Sequence, residues 1–407
     1  MIPLPLALAE PLGKVDAAAW ADEFTGVQVD SRRIDEGDLF VALGAGTDYR
    51  KHAFARGAAA VLVPDDAFSA LAAIAGKVRS RSDAQVVAIT GSMGKTSTKD
   101  ILAAICSPQA RTVAAERSYN NEVGVPLTLC RIEPDTEIVI LELAMRGFGQ
   151  IAELCAFARP HIGVVTMIAP VHLEKVGTLE GVIRAKSELV TALPSGGTAI
   201  VPAGFAVGRD DLEVVDVGED VRLESFEPPR LVTSLGTFDV NFTARHLAQN
   251  ALNAFATAHA LGLSIPQRVD VTFAEWRNEE LPLPGGGVLI NDAWNANPIS
   301  MRAALEHLAH LAAGRRRIAV LGEMAELGAY AEEGHEEVAR AVQDVGVELL
   351  VSVGEQARVY GGRWVADADA AIALLRGELE PGDCVLVKGA RVLELERVAE
   401  SLAGVTA

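Results

Sequence analysis

The stretch Gln85–Ser97 decides the fold, and it reads QVVAITGSMGKTS. Its apolar run, Val86–Ile89, is typical of a buried strand in a parallel sheet. The glycine-rich turn Thr90–Gly94 follows at once, and Lys95–Cys106 then continues with helical spacing. A turn of this kind between a strand and a helix lets backbone amides and the positive end of the helix dipole bind phosphate. The stretch therefore predicts a phosphate-binding loop in an α/β fold.

The side chains of this loop indicate which phosphate compound it binds. Lys95 would reach the β- and γ-phosphates of ATP, and the hydroxyl of Thr96 would ligate Mg²⁺. Two residues separate Gly91 from Gly94, whereas the general motif has four here, and an ordinary strand–turn–helix junction is the alternative. We predict that ATP is bound by Gly91, Ser92, Met93, Gly94, Lys95, Thr96 and Ser97.

The rest of the chain alternates strand-like and helical stretches, which indicates α/β structure throughout. A polar stretch, Arg79–Asp83, and a Pro/Gly cluster, Leu281–Gly287, mark two domain boundaries. We predict three α/β domains: a small N-terminal domain over 1–83, a central P-loop ATPase-like domain with a mostly parallel sheet over 84–284, and a C-terminal Rossmann-like domain over 285–407. The predicted helices are 67–78, 95–106, 151–158, 179–193 and 245–261, with hairpins over about 198–243 and a loop at Gly44–Gly46.

Composition excludes several classes of protein. The chain has 36 Lys and Arg against 55 Asp and Glu, a net charge of −19, which argues against binding to nucleic-acid phosphates. The uncharged stretch 189–208 is interrupted by prolines and glycines, so we predict no membrane-spanning segment, and the N-terminus lacks the basic residues of a secretory signal. The widely spaced Cys106, Cys130, Cys155 and Cys384 are interpreted as buried, reduced thiols of a cytosolic protein.

Several motifs, in order along nearly the whole chain, resemble those of the Mur ligases. Besides the TGSMGKTS loop they are Asp30–Arg32, Gly37–Leu43, Gly57–Val63, Asn120–Thr128, Val171–Glu174, Ala185–Glu188, Asn291–Pro298 and Leu321–Gly328. The NANP element within Asn291–Pro298 and the later LGEMAELG are similar to the branch of the family that adds D-alanyl-D-alanine.

The resemblance implies a cytoplasmic bacterial ligase that acts as a monomer. It would join D-Ala-D-Ala to the terminal carboxylate of UDP-MurNAc-tripeptide during peptidoglycan precursor synthesis, and its N-terminal domain would bind the UDP part. A carboxylate is a poor electrophile, so the γ-phosphoryl group of ATP would first convert it into an acyl phosphate that the amine then attacks. Bringing two anions together requires cations, and two Mg²⁺ sites are expected.

The resemblance also implies catalytic and metal-binding residues. Glu142, at the end of a strand where a doubly wound sheet places ligand-facing groups, would ligate Mg²⁺ together with Thr96. His172 would lie near the second metal ion. The family counterpart of Lys186 is commonly carbamylated, which converts an ammonium into a carboxylate-type ligand. Catalysis would depend on Lys95, Lys186 and His172. The alternative interpretations are that Glu142 is a surface carboxylate, His172 a structural histidine and Lys186 a solvated lysine.

Binding residues are carried over in the same way. For the adenine and ribose the resemblance points to the Arg245-His246 pair, Asn250, Asn295, Asn297 and Pro298. The substrate-binding residues it implies are Asp30, Ser31, Arg32, Asn120, Asn121, Thr128, Glu323, Glu326, His335, Lys388 and Arg391. Three positions depart from the family pattern, since Leu247, Trp294 and Ala390 stand where Asn, Tyr and Ser are usual.

Other functions stay open at this point. Another Mur-type ligase is one, although the DNPR signature of the branch that adds a diamino acid does not occur in this chain. Folate polyglutamylation uses the same acyl-phosphate chemistry but leaves the N-terminal domain unexplained. A non-catalytic nucleotide-binding relative has no need for the combination of Lys95, Thr96, Glu142, His172 and Lys186.

Overall fold

The computed structural model describes residues 1–170 and 173–404. The predicted metal-site residue His172 lies outside the described residues. The strands are β1 Leu4–Pro5, β2 Gly13–Ala17, β3 Glu23–Phe24, β4 Gly26–Gln28, β5 Asp38–Val41, β6 Ala60–Pro64, β7 Gln85–Thr90, β8 Thr112–Ala114, β9 Ile138–Glu142, β10 Ile162–Val165, β11 Thr198–Pro202, β12 Glu213–Val217, β13 Leu223–Glu227, β14 Arg230–Thr233, β15 Gly236–Val240, β16 Arg268–Val269, β17 Glu279–Leu283, β18 Gly287–Asp292, β19 Arg317–Gly322, β20 Leu349–Val353, β21 Arg363–Val365 and β22 Cys384–Lys388.

The helices alternate with these strands through most of the chain, and their starts follow local capping. The side chain of Asp66 accepts a 2.7 Å hydrogen bond from the amide of Ser69, which fixes the start of the second helix. The helices are α1 Arg50–Ala55, α2 Ala67–Arg79, α3 Lys95–Cys106, α4 Gly124–Leu129, α5 Gln150–Ala158, α6 Leu173–Val176, α7 Leu179–Thr191, α8 Arg245–Ala260, α9 Pro298–Ala312, α10 Ala331–Val345, α11 Ala368–Leu375 and α12 Glu396–Ala403.

The central sheet positions the phosphate-binding loop. Its strands are parallel, in the order β12-β11-β10-β7-β9-β8. Helices α4, α5 and α7 pack on one face and α3 and α8 on the other, so the strands between them are buried on both sides. The carboxyl ends of β7, β9 and β10 lie side by side, which is where an open α/β sheet binds ligands.

The N-terminal sheet has the order β2-β6-β5-β4, with β2 antiparallel to β6. Helix α2 packs against α4 and α5, so its apolar side chains join the core of the central sheet. The segment Gly44–Gly46, predicted as a loop, instead begins a short 3₁₀ helix, Gly44–Tyr49. The hairpins predicted over about 198–243 occur only from β13 onward, because β11 and β12 are parallel strands of the central sheet.

The C-terminal sheet has the order β17-β18-β22-β19-β20-β21, parallel except for the antiparallel edge strand β17. Helices α9 and α10 cover one face, and α11 and α12 cover the other. The predicted boundary between residues 284 and 285 falls in the turn between β17 and β18, so one strand of the predicted central domain is paired with the C-terminal sheet. The domain limits stay a prediction. No helix of the described residues is long and apolar enough to span a bilayer.

Candidate active site

Two glycines of the phosphate loop are required by their surroundings. Gly91 has φ +145° and Gly94 has φ +79°, a region that favours glycine. A Cβ at Gly91 would lie 2.0 Å from Oγ1 of Thr166, and one at Gly94 would lie 2.4 Å from Oδ1 of Asn250. The loop is therefore held closely between the segment after β10 and helix α8.

The loop is also fixed by hydrogen bonds to the segment after β10. The amide of Ser92 donates to the carbonyl of Met167 at 2.8 Å, and the Ser92 hydroxyl donates to the carbonyl of Ala169 at 2.9 Å. Nζ of Lys95 donates to the carbonyl of Gly91 at 2.8 Å, which folds the ammonium back over the loop. The backbone is thus fixed in a phosphate-cradling form, with a cation at its mouth.

Glu142 lies at the end of β9, opposite the start of α3. Its Oε2 accepts a 2.9 Å hydrogen bond from the Thr96 hydroxyl, and its Oε1 accepts a 2.7 Å bond from the side-chain amide of Asn120. The residue is buried, and both of these donors are uncharged. A buried carboxylate beside a hydroxyl is an oxygen donor pair that suits Mg²⁺, which prefers one or two protein ligands plus phosphate oxygens and water. The predicted ligands Thr96 and Glu142 therefore fit this ion.

A second lysine lies behind the loop. Lys186, on α7, is buried, and its Nζ donates to Oγ1 of Thr90 at 3.3 Å. Burial first, and then the neighbouring charge of Lys95, hold the pKa of the Lys186 ammonium well below its usual range. Burial also lowers the pKa of Lys95, which the negative charge of Glu142 opposes. The two amines and the carboxylate form one electrostatically coupled group.

A cavity of about 950 Å³ opens in front of this group, with walls from the central and C-terminal sheets. Phe68 of α2 reaches one end of it, and side chains of α8 and α9 form the other wall. The cavity brings together these residues predicted from the sequence: Ser92, Met93, Gly94, Lys95, Thr96, Ser97, Asn120, Asn121, Glu142, His246, Asn250, Asn295, Asn297, Glu326 and Lys388.

The other described residues that were predicted as site residues do not line this cavity: Asp30, Ser31, Arg32, Gly91, Thr128, Lys186, Pro298, Glu323, His335 and Arg391. Thr128 is buried in α4, where its hydroxyl donates to the carbonyl of Gly124 at 2.9 Å. His335 is buried too, donating from Nδ1 to the carbonyl of Ala331 at 2.6 Å and accepting from the amide of Met324 at 3.0 Å. Both side chains therefore serve packing and local hydrogen bonding here.

Lys388 and Asn297 line the cavity but are already engaged. Nζ of Lys388 lies 2.6 Å from Oδ2 of Asp292 and donates to the carbonyl of Asn295 at 2.9 Å. The side chain of Asn297 accepts from the amide of Ser300 at 2.9 Å and so caps helix α9. The NANP segment is thereby fixed in place between β18 and α9.

Sequence reasoning missed Arg277, which lines the cavity between the phosphate loop and Trp294. Its Nη2 donates to Oγ of Ser118 at 3.1 Å, and its guanidinium lies 5.5 Å from the Trp294 ring centroid. Burial lowers its pKa, against the charges of Glu142 and Asp292. Its buried Nε has no hydrogen-bond partner among the described atoms. No motif surrounds Arg277, because its place depends on tertiary contacts.

His307, on the α9 wall, was also missed. Its Nε2 lies 2.8 Å from the Thr243 hydroxyl and its Nδ1 lies 2.8 Å from Oδ1 of Asn278. Burial, reinforced by neighbouring His246, lowers the pKa of His307 to about 3. The His307 imidazole is therefore neutral at physiological pH.

The sequence and the fold both match known proteins. The Mur ligase middle domain matches residues 89–258, and the domain described as Mur ligase, glutamate ligase domain, matches residues 276–391. The UDP-N-acetylmuramoyl-tripeptide–D-alanyl-D-alanine ligase of Mycobacterium tuberculosis (strain ATCC 25618 / H37Rv) is 36% identical, over 92% of this chain and 91% of its own. The chain belongs to the Mur ligase family. The Escherichia coli K12 ligase of the same name is 33% identical, over 92% and 93%.

Solved Mur ligases have the same fold. A crystal structure of MurF from Acinetobacter baumannii superposes with a TM-score of 0.84 at 26% identity, covering 99% of both chains. The MurF ligase of Thermotoga maritima in complex with ADP gives a TM-score of 0.80 at 23% identity, covering 93% of this chain and 97% of its own. The predicted fold class and the assignment to the Mur-type ligases are confirmed.

Proposed function

We propose that this Mur ligase joins D-Ala-D-Ala to the terminal carboxylate of UDP-MurNAc-tripeptide, with ATP as the phosphoryl donor, in peptidoglycan precursor synthesis. The observation that carries the proposal is the arrangement of Lys95 and Thr96, at the start of α3, against Glu142 in a cavity of about 950 Å³. The identity of the substrates is taken from the names of relatives that align with nine-tenths of the chain.

The first chemical step is phosphoryl transfer. A carboxylate oxygen of the tripeptide attacks the γ-phosphorus of ATP, the bond from that phosphorus to the β,γ-bridging oxygen breaks, and ADP leaves. The products are ADP and an acyl phosphate. Lys95 and Arg277 supply positive charge where two anions meet, and the amides of the phosphate loop hold the nucleotide in line. Mg²⁺, when bound at Thr96 and Glu142, would balance charge on the phosphate oxygens.

The second step is amide formation. The free amine of D-Ala-D-Ala attacks the carbonyl carbon of the acyl phosphate, and a tetrahedral intermediate forms. A proton leaves the nitrogen, the bond from carbon to the phosphate oxygen breaks, and inorganic phosphate departs. The acyl phosphate must be shielded from water, and the cavity is lined by elements of both the central and the C-terminal sheets that could close over it.

Carbamylation of Lys186 remains part of the proposal. Burial and the neighbouring charge of Lys95 favour the neutral amine of Lys186, against the charges of Glu188 and Glu142, and a neutral amine can add to CO₂ and lose one proton to give a carbamate. The described residues contain no cluster of three or more His, Cys, Asp or Glu side chains suited to a metal. A second Mg²⁺ would therefore depend on the carbamate, on His172 and on the bound nucleotide.

The two substrates would enter from different sides. The Asp30–Arg32 segment is proposed to bind the UDP end. Asp30 caps a short 3₁₀ helix, Ser31–Arg33, and Nη2 of Arg33 donates to Oε2 of Glu116 at 2.9 Å. The dipeptide would approach from the C-terminal side, near Glu326. Glu323, Lys388 and Arg391, which the resemblance implies as substrate-binding residues, belong to that side, whereas His335 uses both ring nitrogens in internal hydrogen bonds.

The cellular setting is also proposed. We expect a monomer in the bacterial cytoplasm, where ATP and UDP-linked precursors are available. The buried and unpaired Cys106, Cys130, Cys155 and Cys384 support a reducing compartment.

A panel of amines tests the choice of substrate. With ATP, Mg²⁺ and UDP-MurNAc-tripeptide held constant, D-Ala-D-Ala is expected to give a covalent adduct by mass spectrometry, whereas L-lysine and meso-diaminopimelate give none. An adduct with another amine in place of D-Ala-D-Ala would keep the mechanism and assign the chain to a sister ligase.

A further inference from the structure

A buried ion pair lies one turn beyond the phosphate loop, on α3. Nζ of Lys99 is 2.8 Å from Oδ1 of Asp100, and the side chains are 4% and 11% exposed. Removing two charges from water costs more than their attraction commonly returns, so such a pair is a weak source of stability. The pair does, however, bind backbone groups of two loops.

All three donors of the Lys99 ammonium are used. Besides Asp100, they reach the carbonyl of Ala115 at 2.8 Å and the carbonyl of Arg117 at 3.1 Å. Arg117 has φ +47°, a strained conformation for a side chain of this size. Lys99 therefore fixes the backbone immediately before Ser118.

Asp100 fixes a second loop. Its Oδ2 accepts a 3.0 Å hydrogen bond from the amide of Ala274, three residues before Arg277. An exposed ion pair joins the same two loops, since Nη2 of Arg117 lies 3.1 Å from Oε2 of Glu275. One ion pair on α3 thus holds the segment 115–118 on one side and the segment 274–277 on the other.

The two segments converge on the cavity. Ser118 accepts from Arg277 at 3.1 Å and lies 3.5 Å from the hydroxyl of Thr96. Both Ser118 and Arg277 line the cavity, and Nε of Arg277 is buried without a partner among the described atoms. The Arg277 guanidinium is thus held at the cavity lining by Ser118, whose hydroxyl lies beside Thr96 of the phosphate loop.

We propose that Lys99 and Asp100 are positioning residues of the ligase, which hold the Ser118 and Arg277 side chains in the geometry that phosphoryl transfer requires. The proposal rests on the proposed function, because it assigns Arg277 to the transferred phosphoryl group. Neither Lys99 nor Asp100 lines the cavity in the described part of the chain, so they act through other residues.

A double-mutant cycle tests this role. Asp100→Asn is expected to lower kcat by about tenfold or more and to leave KM for D-Ala-D-Ala within about twofold of the wild type. In an Arg277→Gln background, where there is no guanidinium to position, the same substitution should change kcat by less than about twofold. Lys99→Met serves as the second variant if Asp100→Asn fails to fold.

The matched control is Asp383→Asn, far from the cavity on the C-terminal sheet. Asp383 is buried and lies 3.4 Å from Arg316, so its loss of charge reports the cost to folding alone. Equal fold losses in the wild-type and Arg277→Gln backgrounds, or an unchanged kcat in folded Asp100→Asn, would overturn the proposal. Product formation by the wild type is measured first, so failure of the proposed function is recognised separately.

Discussion

The hydroxyl of Thr96 donates a 2.9 Å hydrogen bond to Oε2 of Glu142, across a sequence separation of 46 residues. The contact joins the start of α3 to the end of β9, and so connects the phosphate loop to the carboxylate that fits Mg²⁺. Because the scaffold already holds these groups together, little reorganisation is needed when the nucleotide binds.

Replacement of Lys95 should abolish turnover and leave the fold intact. Lys95→Ala removes the ammonium over the loop, and loss of one such electrostatic contact commonly costs about 10²–10³-fold in kcat. Phosphate release measures the effect, circular dichroism checks the fold, and Lys77→Ala, at an exposed position of α2, is the control. Normal activity in Lys95→Ala would disprove the phosphate-loop assignment.

Replacement of Glu142 should lower both activity and stability. Glu142→Gln keeps the shape of the side chain and removes a buried negative charge. We expect kcat to fall by about 10²-fold or more because the ion loses its carboxylate ligand. Without ligands, the melting temperature should fall below that of the wild type, because the buried cations Lys95 and Arg277 lose the negative charge that opposes the cost of their burial. A Mg²⁺ dependence of turnover identical to the wild type would contradict the metal assignment.

Activity should depend on dissolved CO₂ if Lys186 is carbamylated. Enzyme stripped of bicarbonate at mildly acidic pH is expected to lose activity and to regain it when bicarbonate is added. Lys186→Ala should be inactive in both conditions. Carbon NMR with labelled bicarbonate would detect the carbamate directly, and full activity of the stripped enzyme would exclude a catalytic role for it.

The buried thiols predict a pH dependence of stability. Burial raises the pKa of Cys130 to about 12, from 9.0 for a solvated thiol. In the folded state the Cys130 thiol therefore keeps its proton at pH values where the unfolded chain has lost it. The free energy of unfolding that this thiol contributes below pH 9 falls as the pH rises toward 12. Cys130→Ala removes this titration and leaves a cavity. The wild type should unfold at a higher urea concentration than Cys130→Ala at pH about 8, and this difference should shrink as the pH rises to about 10. A constant difference would contradict the raised pKa of the Cys130 thiol.

Domain closure is the fifth expectation. The phosphate loop, the NANP segment and the Asp30–Arg32 segment belong to different predicted domains, so assembly of a water-excluding site requires them to approach. Small-angle scattering should show a smaller radius of gyration with an ATP analogue and the UDP-substrate than without them. Superimposable profiles would rule out closure.

Local pattern was sufficient to predict the loop and its flanking elements. Helix α3 was predicted as Lys95–Cys106, the range observed, because an apolar strand, two glycines and a helix start lie within a few residues. The half-exposed strand β12 was missed, since its side chains lack the apolar pattern of a buried strand.

Two residues that line the cavity, Arg277 and His307, could not be predicted from the sequence, for a different reason. Arg277 and His307 come from separate elements and reach the cavity only through tertiary packing. Conversely, Thr128 lies in the Asn120–Thr128 motif and His335 was carried over by resemblance, but both use their polar atoms in internal hydrogen bonds. A motif therefore identifies the family more reliably than it identifies which side chains face the substrate.

The most direct test of the account is phosphate release from ATP with Mg²⁺ and UDP-MurNAc-tripeptide, measured with and without D-Ala-D-Ala. Release that requires both substrates, together with the pentapeptide product by mass spectrometry, is the predicted result. Absence of release with every amine tried, or release that continues unchanged without the UDP-peptide, would contradict the assignment as a D-Ala-D-Ala ligase.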